Sequence, residues 1–281
     1  MRIVSSERIR KAVADICIKA CLHLRPDVLS ALVAARKKER NQKVREILTA
    51  IVENASLASA QRLAICQDTG MPVVFAWVGQ DIHIRGDFQK AITKGVEDGY
   101  QKGYLRNSII KDPLQRGTSG YSPAVIHTEL VLGKHLRLTV LPKGFGCENK
   151  SQLKMFAPTV DMQEIKKFII EAVKAAGPDA CPPYVVGVGI GGTADYACLL
   201  AKKALLRPIK RHLRPATHDT RRKLESELRS SINSLNIGPM GLGGKATCLA
   251  VHIETYPTHI AGLPVAVNLS CHALRSATAV I

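Results

Sequence analysis

The chain is short of aromatic residues, short of acids relative to bases, and without a long uninterrupted apolar run. Aromatics make up 4% of its 281 residues, so stacking platforms for nucleic-acid bases are scarce. No stretch approaches the length of a membrane span. The opening MRIVSSERIRKAVADICIKACL sets arginine, lysine and acid among its apolar positions, which argues against a secretion signal. Low-complexity linkers and internal repeats are missing as well, so a repeat array has no support. Eight cysteines are spread widely and unevenly, unlike the dense framework of a small disulfide-stapled scaffold. Reduced thiols and a cytoplasmic location are the expectation.

What is present is enough apolar material, 46% of residues, to bury one large core or two modest ones. The formal charge is +17, with 40 lysines and arginines against 23 acids. Basic residues are distributed through 34–46 and 202–229, interleaved with Glu225, Glu227 and apolar positions at helical spacing. This pattern fits a solvated basic face, attraction of a dianionic substrate or an acidic partner subunit better than a nucleic-acid footprint.

Periodicity predicts a helical N-terminal layer over about 1–62. Ser5 or Ser6 caps a run to Leu22, Pro26 opens a second helix, and Asn41 caps a third that ends near Arg62. From Pro72 the run VVFAWVG predicts a buried strand. A helix from Asp87 to about Leu105 carries Gly95, Gly99 and Gly103 four apart, on one face that another backbone can approach closely. Residues 124–131 and 135–142 read as a hairpin about Gly133-Lys134, and the loop KGFGCENKS follows. Beyond it the expectation is a helix from Asp161 to Ala176, a strand at 184–190, helices at 194–206 and from Asp219 to Leu235, and strands at 246–255 and 263–269. The fold class expected is α/β, one domain over residues 1–281 with a mixed sheet.

Two glycine-rich segments suggest nucleotide sites and fall short of them. Gly187, Gly189 and Gly192 have GxGxxG spacing between a strand and a helix, but no carboxylate stands about twenty residues on, where a ribose ligand belongs. The glycines more plausibly let this turn approach a cluster or an anionic substrate through backbone N–H groups. GPMGLGGKAT has a Gly-Lys pair, yet Pro239 stands where a phosphate loop needs its first glycine and Ala246 where it needs a hydroxyl.

Three cysteines sit where an apolar run meets a polar or turn-forming segment: Cys66 in LAICQDTGMP, Cys181 in GPDACPPYVVGVGIGG and Cys271 in VAVNLSCHALR. They read as ligands. Three thiolates in place of four leave one iron of a cubane cluster with an open position, which suits Lewis-acid chemistry on a small hydroxy acid. Cys198 within a helix and Cys248 within a strand read as packing residues. Cys17 and Cys21, with His23 nearby, have a spacing that suits zinc but lack a fourth partner.

Seven motifs occur in order along nearly the whole chain: CQDTG at 66–70, YLRNSIIKDPL from Tyr104, SPAVIH ending at His127, ENKS at 148–151, CPPYVVGVGIGGT from Cys181, GPMGLGGK from Gly238 and HIETYPTHIAGLPVAVNLSCHALR from His252. With them the chain resembles the α subunit, or N-terminal catalytic half, of the iron-sulfur hydro-lyases typified by class I fumarate hydratase and L-tartrate dehydratase. The resemblance implies a 4Fe-4S cluster with one open iron site on Cys66, Cys181 and Cys271. It also implies Gln67 and Asp68 beside the substrate, His259 as the active-site histidine, Arg106 on a substrate carboxylate and Gly146 in backbone contact with substrate. Asp68 would accept a proton or hold the charge on His259, assistance worth roughly 100- to 10,000-fold.

The KGFGCENKS loop departs from the family pattern, with Phe145 in place of a glycine and Cys147 in place of a serine. The implied reaction is reversible hydration of fumarate to (S)-malate, with L-tartrate dehydration or methylfumarate (mesaconate) hydration as alternatives. These residues do not identify the base that removes the carbon-bound proton. Complete family enzymes carry a second domain, so the resemblance implies a separate β subunit in a heterotetramer of two α and two β chains. Two readings from other classes are a nicotinamide-dependent dehydrogenase and a nucleic-acid-binding protein.

Overall fold

The computed structural model describes residues 2–209 and 220–281. In chain order its elements begin with β1 (Arg2–Ser5), α1 (Ser6–Leu22), α2 (Pro26–Lys38), α3 (Gln42–Gln61), β2 (Met71–Gly79), β3 (Ile82–Arg85) and α4 (Phe88–Lys102). Next come β4 (Ile109–Asp112), β5 (Arg116–Gly120), β6 (Val125–Val131), β7 (Leu136–Lys143), α5 (Phe145–Glu148), β8 (Gln152–Phe156) and α6 (Met162–Ala176). The last are β9 (Tyr184–Gly192), α7 (Ala194–Ala204), α8 (Thr220–Asn233), β10 (Cys248–Thr258), β11 (Leu263–Ser270) and β12 (Ala277–Val280). This is an α/β chain with mixed sheets. It divides into two compact units, one of residues 1–25, 55–145 and 275–281, the other of residues 26–54 and 146–274.

The predicted helix starts hold because polar side chains satisfy the free N–H groups of the first turn. Ser5 caps α1 through the amide of Arg8, Asp87 caps α4 through Lys90, and Asp161 caps α6 through Glu164. Asn41 accepts from Lys43 and Val44 at the head of α3. The predicted start of α8 at Asp219 lies outside the described residues.

In the first unit the sheet order is β12-β7-β2-β6, with β6 parallel and β7 antiparallel to β2. Residues 124–131 and 135–142 therefore do not form a hairpin with each other. Each pairs with β2, whose nearly continuous apolar run is mostly buried and takes the central position that such a run demands. At the exposed flank of this sheet Trp77 donates through Nε1 to Glu129 Oε2 at 2.9 Å, and the Arg137 guanidinium lies 3.9 Å from its ring centroid. Helices α1 and α4 pack closely because α4 presents its glycines. A Cβ at Gly95 would come within 2.5 Å of Arg10 O, and one at Gly99 within 2.7 Å of Ala14 O. Arg10 and Asp98 add a two-bond ion pair at 2.6 and 3.1 Å across the same contact, which holds the Asp98 carboxyl below its usual range.

The second unit is built on a sheet in the order β10-β9-β11-β8, with β9 and β10 parallel and the other pairs antiparallel. Strand β9 is buried on both faces. Val186 and Val188 join a core with Ile165, Ile169, Leu224 and Leu228 of α6 and α8. Gly187 and Gly189 face α7 instead, where a Cβ would stand 2.1 Å from Ala201 O and 2.0 Å from Ala197 O. These two glycines of the GxGxxG spacing thus admit a helix backbone, and the expected approach to a cluster or anion does not apply to them. Strand β8, five residues long, and strand β12, four residues long, come from segments too short for periodicity to reveal.

Two substitutions test this packing. Gly99→Ala and Gly189→Ala each force a Cβ against backbone, and each is expected to cost about 1–3 kcal/mol. Gly120→Ala, where a Cβ meets nothing within 4 Å, should stay within about 0.5 kcal/mol of the parent. Urea unfolding followed by far-UV circular dichroism reads all three, and equal midpoints would contradict the close approach.

Candidate active site

Antiparallel pairing of β11 with β9 sets Ser270 opposite Val185. The residue after β11, Cys271, is thereby delivered to the start of β9, which Cys181 precedes by three residues. The two segments are tied directly: the Cys181 carbonyl accepts from the His272 amide at 3.3 Å and lies 3.1 Å from His272 Nδ1. Cys181 adopts φ 58°, a left-handed conformation that is uncommon away from glycine. Its turn is braced by the GPMGLGGK segment, where Met240 donates its amide to Pro182 O at 2.9 Å and a Cβ on Gly241 would stand 2.2 Å from Pro178. That segment is a buttress for Cys181, and its glycines serve contact.

Beneath the two thiols lies the fully buried ring of Tyr184, whose hydroxyl donates to Gly177 O at 2.6 Å. Burial pushes this phenol well above its ordinary value, and the neighbouring thiols of Cys147, Cys181 and Cys271 push in the same direction. Cys147 donates to Ala180 O at 3.2 Å, a bond that a serine hydroxyl makes equally well. The ENKS motif has a related task. Lys202 Nζ meets Glu148 Oε1 at 2.5 Å, and Asn268 Nδ2 donates to Glu148 Oε2 at 2.9 Å and Ser151 Oγ at 2.8 Å. Asn268 is three residues before Cys271, so this network anchors the end of β11.

In the first unit, the CQDTG loop runs into β2 without regular structure of its own. Asp68 uses both carboxylate oxygens to hold it: Oδ1 accepts from the Gly70 amide at 2.9 Å and Oδ2 from the Phe145 amide at 2.8 Å. The contact at Phe145 is through backbone, so replacement of a glycine there leaves it intact. Gly70, at φ 75°, lies so close to Pro142 and Lys143 that a Cβ would come within 2.6 Å of their backbone. Thr69 Oγ1 accepts from the Arg106 amide at 3.1 Å, which places Arg106 beside the loop with an exposed side chain. Gln67 is also exposed, with Oε1 3.3 Å from the Cys66 thiol.

Cys66, Gln67, Asp68 and Arg106 are thus brought together in the first unit, and Cys181 and Cys271 in the second. His259 and Gly146 are exposed in the second unit; His259 accepts from the Ala261 amide at 3.2 Å through Nδ1, and a Cβ on Gly146 would meet nothing within 4 Å. Among the described residues no group of three or more histidine, cysteine, aspartate or glutamate side chains is gathered closely enough to hold a metal ion. The cysteines nevertheless sort by environment. Cys66, Cys181 and Cys271 are partly exposed, Cys17, Cys21, Cys147 and Cys248 are buried, and Cys198 is exposed. Burial pushes the Cys21 thiol up to about 11 and that of Cys248 up to about 12, so both stay protonated at neutral pH.

Comparison with known proteins bears on the chain as a whole. The family model described as "Fumarate hydratase (Fumerase)" matches residues 10–280. The chain belongs to the fumarate hydratase family. A relative in Methanocaldococcus jannaschii, provisionally named L(+)-tartrate dehydratase subunit alpha, is 38% identical over 278 residues, 96% of each chain. An L(+)-tartrate dehydratase subunit alpha of Escherichia coli is 30% identical over 276 residues, 96% of this chain and 90% of its own. One of Shigella sonnei is 29% identical over 279 residues, 98% of this chain and 91% of its own.

Within this family member, several residues around the loop escape motif reading. Tyr100 donates to Thr69 O at 2.9 Å, Cys21 Sγ lies 3.8 Å from the same carbonyl, and Arg275 donates to Asp68 O. No local signal in the sequence marks Arg275, which stands in the run HALRSATAVI. Native alkylation under reducing, oxygen-free conditions is expected to label Cys66, Cys181, Cys271 and Cys198 at least about tenfold faster than Cys17, Cys21, Cys147 and Cys248. Peptide mass spectrometry measures this, and uniform labelling would contradict the sorting.

Proposed function

We propose that the protein is the α subunit of a 4Fe-4S-dependent hydro-lyase that reversibly hydrates fumarate to (S)-malate, residues 1–281 acting as one catalytic domain. The observation that carries this reading is the β9–β11 register, which brings the segments of two partly exposed cysteines, Cys181 and Cys271, together in a chain of the fumarate hydratase family. Cys66, Cys181 and Cys271 are the donors we assign to the cluster; bound there, it would supply a Lewis-acidic iron for a hydroxyl and a carboxylate oxygen.

The chain's own residues fit the remaining tasks. Arg106 presents a planar guanidinium fork, which matches a carboxylate in two bonds where lysine offers a point charge. Gln67 orients a carboxylate or hydroxyl through its amide, and Gly146 leaves its backbone open to substrate. Asp68 is fixed by two backbone donors, and in this reading its remaining lone pairs receive a proton or hold the charge of His259. The positive net charge favours approach of a dianion. The relatives' names as α subunits support a β subunit, in a heterotetramer of two α and two β chains, that completes the site and contributes the base.

L-tartrate dehydration is the second reading, favoured by the names of the relatives; methylfumarate hydration is a variant of the same chemistry. Residues 187 and 189, occupied by α7 backbone, give a nicotinamide cofactor no room at the motif that suggested it. The test is oxygen-free reconstitution of the chain with iron and sulfide, with and without its β partner, and assay on fumarate, L-tartrate and mesaconate. Expected results are a visible absorbance and iron content that Cys181→Ala removes, and full activity only with the partner. Arg106→Lys should lower kcat/KM about 10- to 100-fold. A parent chain that takes up no iron would overturn the reading.

A further inference from the structure

The CQDTG loop has to hold a thiol and a carboxylate in fixed directions without helix or strand of its own. Its support comes from one end of the first unit's sheet. Met71 pairs with Lys143 and Ala277 with Val140, so the start of β2, the end of β7 and the approach to β12 share that end. From the β7 side the Phe145 amide holds an Asp68 carboxylate oxygen. From the β12 side Arg275 enters, 3% exposed, and donates through Nη2 to the Asp68 carbonyl.

A buried guanidinium keeps its charge out of water, which is costly unless the fold holds it in place, and here one of the groups it is held against is the Asp68 carbonyl. Cys21 and Tyr100, both buried, are near enough to feel the Arg275 cation and the Asp68 carboxylate with opposite effect. Both are also donors to the Thr69 carbonyl next to Asp68.

We propose that Arg275 is the positioning residue of this loop: its guanidinium holds the Asp68 backbone from below while two amides hold the carboxylate, so that Asp68 and the adjoining Cys66 keep one direction. The proposal rests on the hydro-lyase reading for its effect on rate, and on the geometry alone for its effect on the loop. Arg275 touches no substrate in this scheme and acts only through Asp68.

The test uses the full chain with its β partner. Arg275→Met is expected to lower kcat about 10- to 100-fold, the usual consequence of misplacing a reacting group by a fraction of its length, with KM within about twofold of the parent. Arg275→Lys, which restores charge and a donor, should recover part of the loss. Amide exchange at Thr69 and Gly70 should quicken in Arg275→Met while amides of β2 keep the parent rate. Unchanged exchange overturns the clamp. Unchanged kcat with quickened exchange overturns its role in positioning, and so does a lysine variant no better than methionine. Should Arg275→Met fail to fold, Arg275→Lys and Arg275→Gln are compared by the same two measurements, and the charged variant must be the better. A parent enzyme inactive on all three substrates would remove the hydro-lyase reading, while exchange still decides the clamp.

Discussion

The pairing of β11 with β9 is the constraint on which the candidate site rests. Once Ser270 lies opposite Val185, the residue that follows one strand must arrive where the other begins. A slip of one residue would turn every side chain of β11 to the opposite face. That slip is resisted because β9 is packed on both sides: valines enter the core beneath α6 and α8, while glycines receive the backbone of α7. Small residues on one face and branched residues on the other leave a single way for the strand to lie. The position of Cys271 relative to Cys181 is therefore a product of core packing.

The first unit handles its reactive loop differently. There the loop is suspended between elements, and nearly every polar atom of Asp68 is spent on holding it. Irregular segments that carry chemistry are commonly positioned by a rigid scaffold beneath them, and here that scaffold is the end of the sheet formed by β2, β7 and β12. Helix α4, locked on α1 by its glycines, contributes Tyr100 to the same support. An aspartate that fixes its own backbone leaves a rigid carboxylate.

Much of this was legible in the chain, and the exceptions have physical causes. Helix starts at Ser5, Asp87 and Asp161 are local events decided by a side chain and amides three residues on, so a local reading finds them. The strands near Gly133 failed as a hairpin because short-range turn signals say nothing about a third strand inserted between the two. The glycine spacing at 187–192 was visible but ambiguous, since a turn that cradles a phosphate and a strand that admits a helix need the same residue. The three cysteines stood out by position, and motif order supported them. Arg275 did not stand out: its partner is 207 positions away, and a lone arginine in an apolar run carries no local sign of what it will hold. In the KGFGCENKS loop, the departures at Phe145 and Cys147 proved compatible with the observed contacts because one acts through its backbone and the other keeps a donor.

Trp77 is the single tryptophan of the chain, and it sits in β2 between Glu129 and Arg137. Its emission is consequently a private optical channel for the sheet that supports the Asp68 loop. Loosening of that sheet would shift the spectrum as the indole loses its acid and its cation, whereas melting confined to the residues around Cys181 and Cys271 would be dark at the same wavelength. A fluorescence trace and a dichroism trace taken on one sample can thus be subtracted to time the two halves of the chain against each other, with no label added.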